Sequence, residues 1–356
     1  LKNSLNSLIQ KIKIHKNMFS GIQNSSFTEV NVVHSRESSE WIAGVNLWTD
    51  AFSEAPMAGQ LLRDYNQETA GAFIQNNLRF SETISLETGL RGDYVLDYGF
   101  ALLPRLSLLY KPGMHFTSRI GGGIGYKAPT IFTEESERIH LRSVLPVSSD
   151  DNELERSYGA NWDLNYRAEA GPLGWSVNHL FFYTHLDNPL TLNPLPDGSN
   201  KFTNIAGFVD TKGTETNVRL ELGDFKLFIG YTFTDTKVHS QGAVVQHPLT
   251  AKHRLNNVLM YELEERWKVG LEAYYFSRQR LSDGTYGREY WICGLMLERA
   301  WERFSLFLNF ENFLDTRQTR FGGIYSGTIT NPEFRDIYAP VDGFVMNGGV
   351  KLNLSE

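Results

Sequence analysis

The stretch TISLETGLRGDY, residues 83–94, sets Ile84, Leu86, Leu90 and Tyr94 at one parity and Ser85, Glu87, Arg91 and Asp93 at the other. Successive side chains of a strand leave on opposite faces, so this segment reads as a strand with one apolar face and one wet face. The same two-residue period runs outward through much of the chain. Trp162, Leu164 and Tyr166 oppose Asp163 and Arg167, and Val218, Leu220 and Leu222 oppose Asn217, Arg219 and Glu221. Phe225, Leu227, Ile229, Tyr231 and Phe233 oppose Lys226 and Thr232. Trp267, Val269, Leu271 and Tyr275 oppose Lys268 and Glu272, and Met346, Val350, Leu352 and Leu354 oppose Asn347, Lys351 and Asn353.

These strands run about 9 to 13 residues, longer than is usual in soluble sheets and close to what a tilted strand needs to cross a bilayer. Their connections alternate in length. Lys111-Pro112-Gly113, Gly223-Asp224, Glu264-Glu265-Arg266 and Trp301-Glu302 make tight turns, whereas roughly 127–152, 185–211, 235–251, 277–288 and 314–343 are long polar excursions. Short turns on one side and long loops on the other describe an outer-membrane β-barrel. Tyr94, Tyr110, Tyr126, Trp175, Tyr183, Tyr261 and Trp267 fall near strand ends, where aromatic girdles meet the lipid interfaces. Arg91, Arg167, Arg219 and Glu221 stand mid-strand, costly against lipid and tolerable toward a wet or filled lumen.

Composition agrees. The chain has 356 residues and a formal net charge of -7, so attraction to a nucleic-acid backbone is a poor starting idea. Aromatics make up 13% of it, the mean hydropathy is -0.32, and no apolar run is long enough for a spanning helix. If a membrane is involved, strands must cross it. Cys293 is the only cysteine and reads as an apolar filler. The opening LKNSLNSLIQKIK lacks a signal-peptide pattern, which fits a mature product or a fragment.

The stretch RIGGGIGYKAPTIFTEES, residues 119–136, tests a different reading. A phosphate-binding GxGxxG needs glycine where Tyr126 stands, and no helix pattern follows. Gly121, Gly123 and Gly125 instead share a strand face with Thr117, Arg119 and Lys127, and predict that another piece of protein packs close to the lumen wall there.

GLRGDY (89–94), LPRLSLLYKP (103–112), RIGGGIGYKAPTIFTE (119–134), NELERSYGANWDLNY (152–166) and FLNFENFLDTRQTRFG (307–322) follow in order the motifs of TonB-dependent outer-membrane receptors. Over about residues 67–356 the chain resembles the barrel of that family. Lys127 stands where the family usually has arginine, Glu153-Leu154-Glu155-Arg156 reproduces its Leu-x-Pro-Glu pattern loosely, and Leu354-Ser355-Glu356 replaces the common terminal aromatic. The resemblance implies a barrel of roughly 22 strands preceded by a plug and a TonB-contacting segment. About 14 strands are legible, so residues 1–356 are expected to form part of one antiparallel transmembrane β-barrel domain of an all-β protein, with the plug and first strands outside this chain. The resemblance further implies residence in the bacterial outer membrane and contact with lipid and lipopolysaccharide. It also implies energy-dependent import of a scarce small-molecule ligand through TonB, most simply an iron–siderophore complex.

Candidate ligand contacts come from the loops. Arg138, His140 and Arg142 suit an anionic chelate, and His140 a haem iron, because some haem receptors of the family carry a histidine between the same two motifs. Arg317, Arg320, Tyr325, Arg335 and Tyr338 suit catecholate or carboxylate siderophores, or pair with Glu333, Asp336 and lipopolysaccharide phosphates. His239 and His247 are weak candidates for copper or nickel, and Asp150 and Asp151 for calcium, so a metal site is left unassigned. Arg91, Arg119, Gly121, Gly123, Gly125, Arg167 and Arg219 are expected to face the plug. No cofactor is expected beyond the transported chelate. Neither GxSxG nor HExxH occurs, so catalysis is not expected. Haem, corrinoids and other metal chelates are alternative ligands. An outer-membrane hydrolase and a soluble β-sandwich adhesin are the rivals of other classes.

Overall fold

The computed structural model describes residues 2–14, 17–56, 61–263, 266–328 and 331–352. The strands in chain order begin with β1 (Lys2–Ile14), β2 (Asn17–Ser35), β3 (Ser39–Glu54), β4 (Tyr65–Arg79), β5 (Ile84–Val95), β6 (Gly99–Tyr110) and β7 (Phe116–Lys127). After the short helix α1 (Glu134–Arg138) come β8 (Glu155–Ala170), β9 (Leu173–Asp187), β10 (Leu190–Pro194), β11 (Asn200–Asn204), β12 (Gly207–Leu222) and β13 (Phe225–Ser240). The rest are β14 (Ala243–Gln246), β15 (His253–Leu263), β16 (Trp267–Phe276), β17 (Tyr290–Ala300), β18 (Phe304–Glu311), β19 (Tyr325–Thr328), β20 (Asn331–Phe334) and β21 (Val345–Leu352).

Seventeen strands form one sheet, while β10–β11 and β19–β20 are separate hairpins carried in long loops. Neighbours pair antiparallel, and β9 passes directly to β12, β13 to β15 and β18 to β21 across those loops. The count exceeds the fourteen or so legible in the sequence because β1 to β3 precede the stretch that carries the resemblance. On β3 the alternation is blurred, since Ile42, Trp48 and Phe52 share a face with Asn46 and Asp50. The expected turn residues Glu264 and Glu265, and the expected wall residues Asn353 and Leu354, lie outside the described residues, as do Ser355 and Glu356.

Register confirms the two faces. Tyr94 sits beside Phe100, Leu90 beside Pro104 and Leu86 beside Leu108, while Asp93, Arg91 and Glu87 sit beside Ala101, Leu103 and Ser107. The apolar face stays uncovered: Tyr94, Phe100 and Leu106 are 56%, 57% and 55% exposed. A continuous belt of such residues around a sheet is far larger than the apolar patches soluble proteins tolerate, and it fits lipid. On β13 the belt runs from Phe225 to Phe233 before Asp235, Lys237 and His239 take over. That is about 27 Å along a strand, or about 21 Å once tilted by about 40°, near the apolar height of an outer-membrane barrel. The strands continue past the belt toward the long loops.

One residue of the expected girdle departs. Pro104 has no N–H to give, and β6 pairs with β7 only from Arg105–Tyr110 against Ser118–Gly123. Beyond that point the Tyr126 ring turns inward, packing with Val95, Ala101, Leu103 and Leu154 and donating its hydroxyl to Asp93 Oδ2 at 3.0 Å. Tyr94, Tyr110, Trp175, Tyr183, Tyr261 and Trp267 keep the parity of the apolar face.

Candidate functional site

At the long-loop end the segment after β7 folds back over the wall. Pro129 ends the strand, and α1 opens with a capping box: Thr133 Oγ1 accepts from the Ser136 amide at 3.3 Å, and Ser136 Oγ accepts from the Thr133 amide at 3.1 Å. Glu135 reaches outward and accepts from the Leu192 amide at 2.7 Å, tying the segment to β10. Ile131, Leu141 and Val144 then bury against Phe19, Phe52 and Phe202, with Tyr65, Phe132, Leu190 and Leu192 around them.

This cluster gathers six buried hydrophobic residues. Two polar ties hold it to the wall. Gln67 donates to the Pro129 carbonyl at 2.6 Å, and the buried Arg63 joins Glu54 while donating to the Leu141 carbonyl. His140, Leu141 and Ser143 all have positive φ, a conformation costing non-glycine residues of order 1 kcal/mol each. The surrounding packing holds them there. On the far side Arg138 pairs with Asp336 and donates to Ser282 Oγ at 3.1 Å, latching the segment to the loops after β16 and β18.

Below this roof lies a cavity of about 790 Å³ against the inner faces of β2 to β7. Gln23, Trp48, Asp50, Tyr65, Asp93 and Phe132 are among its lining residues, with Gln67, Arg91, Tyr126, Lys127, Thr130 and Glu137 completing the polar rim. Asp50 accepts from Gln23 Nε2 at 3.0 Å, Ser25 Oγ at 3.0 Å and Tyr65 OH at 3.1 Å. Asp93 accepts from Arg91 Nε at 2.8 Å, and Arg91 also donates to Asn46 Oδ1 at 3.2 Å. Gly71 has no side chain because none fits: a Cβ there would stand 2.3 Å from Asp93 Oδ1 and 2.7 Å from Asn46 Oδ1.

The sequence-derived candidates separate into three places. Arg138 is the latch. His140 packs edge-on to Phe334 at 5.2 Å, and burial, reinforced by the Arg142 charge, holds its imidazole below the ordinary pKa. The Arg142 carbonyl accepts from Asn200 Nδ2 at 3.3 Å. In the loop after β18, Arg317 and Arg320 both bind Asp315. Burial of the Asp315 carboxyl is outweighed by the Phe344 amide and these two guanidinium groups, which hold its pKa low. Tyr338 is a brace: its carbonyl accepts from Gln279 at 3.0 Å and Tyr290 OH at 2.8 Å, and its own hydroxyl accepts from the Arg288 amide at 3.2 Å. The Tyr325 ring lies tilted beside Phe334, centroids 6.5 Å apart, and Arg335 stays exposed. These arginines and tyrosines are spread along the rim.

On the wall, Arg91 belongs to the cavity, while Arg119, Arg167 and Arg219 lie toward the short-turn end. Arg167, Glu169, Arg219 and Glu221 line a small cleft there, with Arg219 paired to Glu221. Gly121, Gly123 and Gly125 have a cause within the wall itself. A Cβ on them would meet the Leu106 carbonyl at 3.1 Å, the Pro104 carbonyl at 3.1 Å and Ser157 Oγ at 2.9 Å, respectively. His239 binds Asp210, the His247 ring lies 2.8 Å from the Pro248 carbonyl, and Asp151 pairs with Lys201 at 3.0 Å. Among the described residues no three His, Cys, Asp or Glu side chains converge as metal ligands would. Sequence reading missed Trp48, Asp50 and Tyr65. The available signal was Asp50 at the parity of Trp48 and Phe52, a charged residue among rings on one strand face.

Residues 17–313 match the family described as TonB dependent receptor-like, beta-barrel. A search of the curated proteins returns no match. Among solved structures the chain resembles the siderophore receptor PirA from Pseudomonas aeruginosa, at 16% identity and a TM-score of 0.66, covering 94% of this chain and 58% of that one. It also resembles a variant of the ferric enterobactin receptor of Pseudomonas aeruginosa in complex with enterobactin, at 14% identity and a TM-score of 0.70, covering 98% and 58%. The copper transporter OprC matches at 14% identity and a TM-score of 0.72, covering 94% and 57%. The chain thus spans less than two thirds of the length of these relatives. The chain belongs to the TonB-dependent receptor β-barrel family.

Proposed function

We propose that this chain forms wall and external loops of an outer-membrane receptor that imports a scarce ligand through TonB, most simply an iron–siderophore complex. The supporting observation is the roofed cavity: it stands at the long-loop end, on the wet face of the wall, and combines rings with convergent polar groups. In the family the long loops face outward, so a ligand arriving from outside meets the roof first. The inner faces carrying Arg91, Arg119, Arg167 and Arg219 are then offered to a plug, without which so wide a barrel leaks. Siderophore receptors and a copper transporter among the structural neighbours agree with import of a metal chelate. Growth of a deletion strain under iron limitation, complemented by the full-length gene and supplied with single siderophores or haem, tests the reading. Rescue on one source is the expected result, and no iron-dependent defect on any source ends it.

A further inference from the structure

The charges lining the cavity are unevenly answered. Arg91 is held by Asp93, and Lys127 lies 3.8 Å from Glu155. Asp50 is 8% exposed and accepts hydrogen bonds from an amide and two hydroxyls, all uncharged. Among the described residues it has no ion-pair partner. A carboxylate turned to a cavity and satisfied only by neutral donors has no countercharge of its own.

Aromatic groups flank that carboxylate. Trp48 lies two residues away at the same parity, Tyr65 is hydrogen-bonded to the carboxylate, and Phe132 meets Tyr65 edge-on with centroids 6.4 Å apart. All three line the cavity, and Glu137 adds a second carboxylate at its rim. Ring faces around an anion are the chemistry that recognises an organic cation, through the ring quadrupole and the countercharge together. An anionic group in the same place would meet an unanswered negative charge.

We infer that the cavity seats a ligand bearing an ammonium group, with Asp50 as its counter-charge and Trp48, Tyr65 and Phe132 as its walls. This rests on the import reading and narrows its substrate class: a chelate that is neutral at the metal and cationic at its periphery is favoured over a polyanionic tris-catecholate.

The test uses the full-length receptor in detergent and tryptophan fluorescence. Three ferric probes are titrated: a trihydroxamate chelate with a free primary ammonium, the same chelate N-acetylated, and an anionic tris-catecholate. The ammonium form is expected to bind at least about tenfold tighter than its acetylated form, with the tris-catecholate weakest. D50N is expected to bring the first ratio below about twofold, with the acetylated chelate unchanged. Heat-dependent gel mobility shows that the variant barrel is folded, and the acetylation contrast in the native protein needs no variant. Equal binding of the two hydroxamates, tightest binding of the tris-catecholate, or an unchanged ratio in D50N overturns the inference. Iron-limited growth on the tris-catecholate alone would leave import standing and end the cation site. Growth on none of the three, with Asp50-dependent binding of a metal-free fluorescent alkylammonium, would keep the cation site and turn its ligand away from these iron chelates.

Discussion

The two ends of the wall are built by different means. At the long-loop end, residues far apart in sequence meet: Gln67 with Pro129, Arg63 with Leu141, and Arg138 with Asp336, around a cluster drawn from β2, β3, β11 and the segment after β7. At the short-turn end, on the inner face, Lys226 and Lys268 pair with Glu262, and Lys351 with Glu298, each tie linking nearby strands across the ladder. The first end is a small hydrophobic core with polar clamps, and the second is a row of solvated ion pairs. A roof over a cavity needs buried area and non-local clamps, whereas the foot of a barrel is held by backbone pairing that the ion pairs only decorate.

Replacing Arg63 by alanine breaks this contrast most strongly. It strands Glu54 in a buried site and releases the Leu141 carbonyl, at a cost of about 3–5 kcal/mol to roof seating. Limited proteolysis within residues 136–144 should rise sharply while the barrel remains heat-resistant. Phe202→Ala removes a ring that is 1% exposed from the same cluster and should cost about 3 kcal/mol or somewhat more, read as faster hydrogen exchange across β10–β11 and the roof. Arg138→Ala, at a latch only partly buried, should loosen the loops after β16 and β18 by about 1 kcal/mol and leave the hydrophobic cluster protected.

Mild acid should act on the roof. The His140 pKa is held below that of the unfolded chain, so the folded roof binds fewer protons, and its contribution is complete above about pH 6.5 and lost as pH falls through the lowered pKa. Protection factors at residues 139–143, corrected for the intrinsic pH dependence of exchange, should fall more between pH 7.5 and pH 5 in the native protein than in His140→Gln. The smallest effect belongs to the foot. Lys268→Gln should leave the thermal transition unchanged while removing part of the salt dependence of the ladder, and a large drop there would show that the ion pairs carry more than solvated pairs do.

Much of the wall is legible in the residues alone. Ile84 to Tyr94 and Phe225 to Phe233 announce their faces because period-two alternation is local and each lipid-facing position needs an apolar side chain. β3 is not legible in that way, since Ile42, Trp48 and Phe52 face inward with Asn46 and Asp50, and an inner wall that packs against a roof need not be uniformly polar. The loop arginines mislead for a related reason. Arg317 and Arg320 look like an anion site in a linear reading, yet both turn to Asp315, which is chosen by loop geometry.

What the sequence determined by itself is therefore the strand period and the alternation of tight turns and long loops, set by the solvent on each face of a strand, together with a resemblance to a barrel family carried by its ordered motifs. What only the tertiary structure decided is the roof and its cavity. Phe19, Phe52, Ile131, Leu141 and Phe202 become one cluster, and Asp50 a carboxylate set among rings, because backbone pairing brings distant strands side by side and a long loop covers the mouth they make. Those contacts carry no periodic signature, so the packing that assembles them is their first physical record.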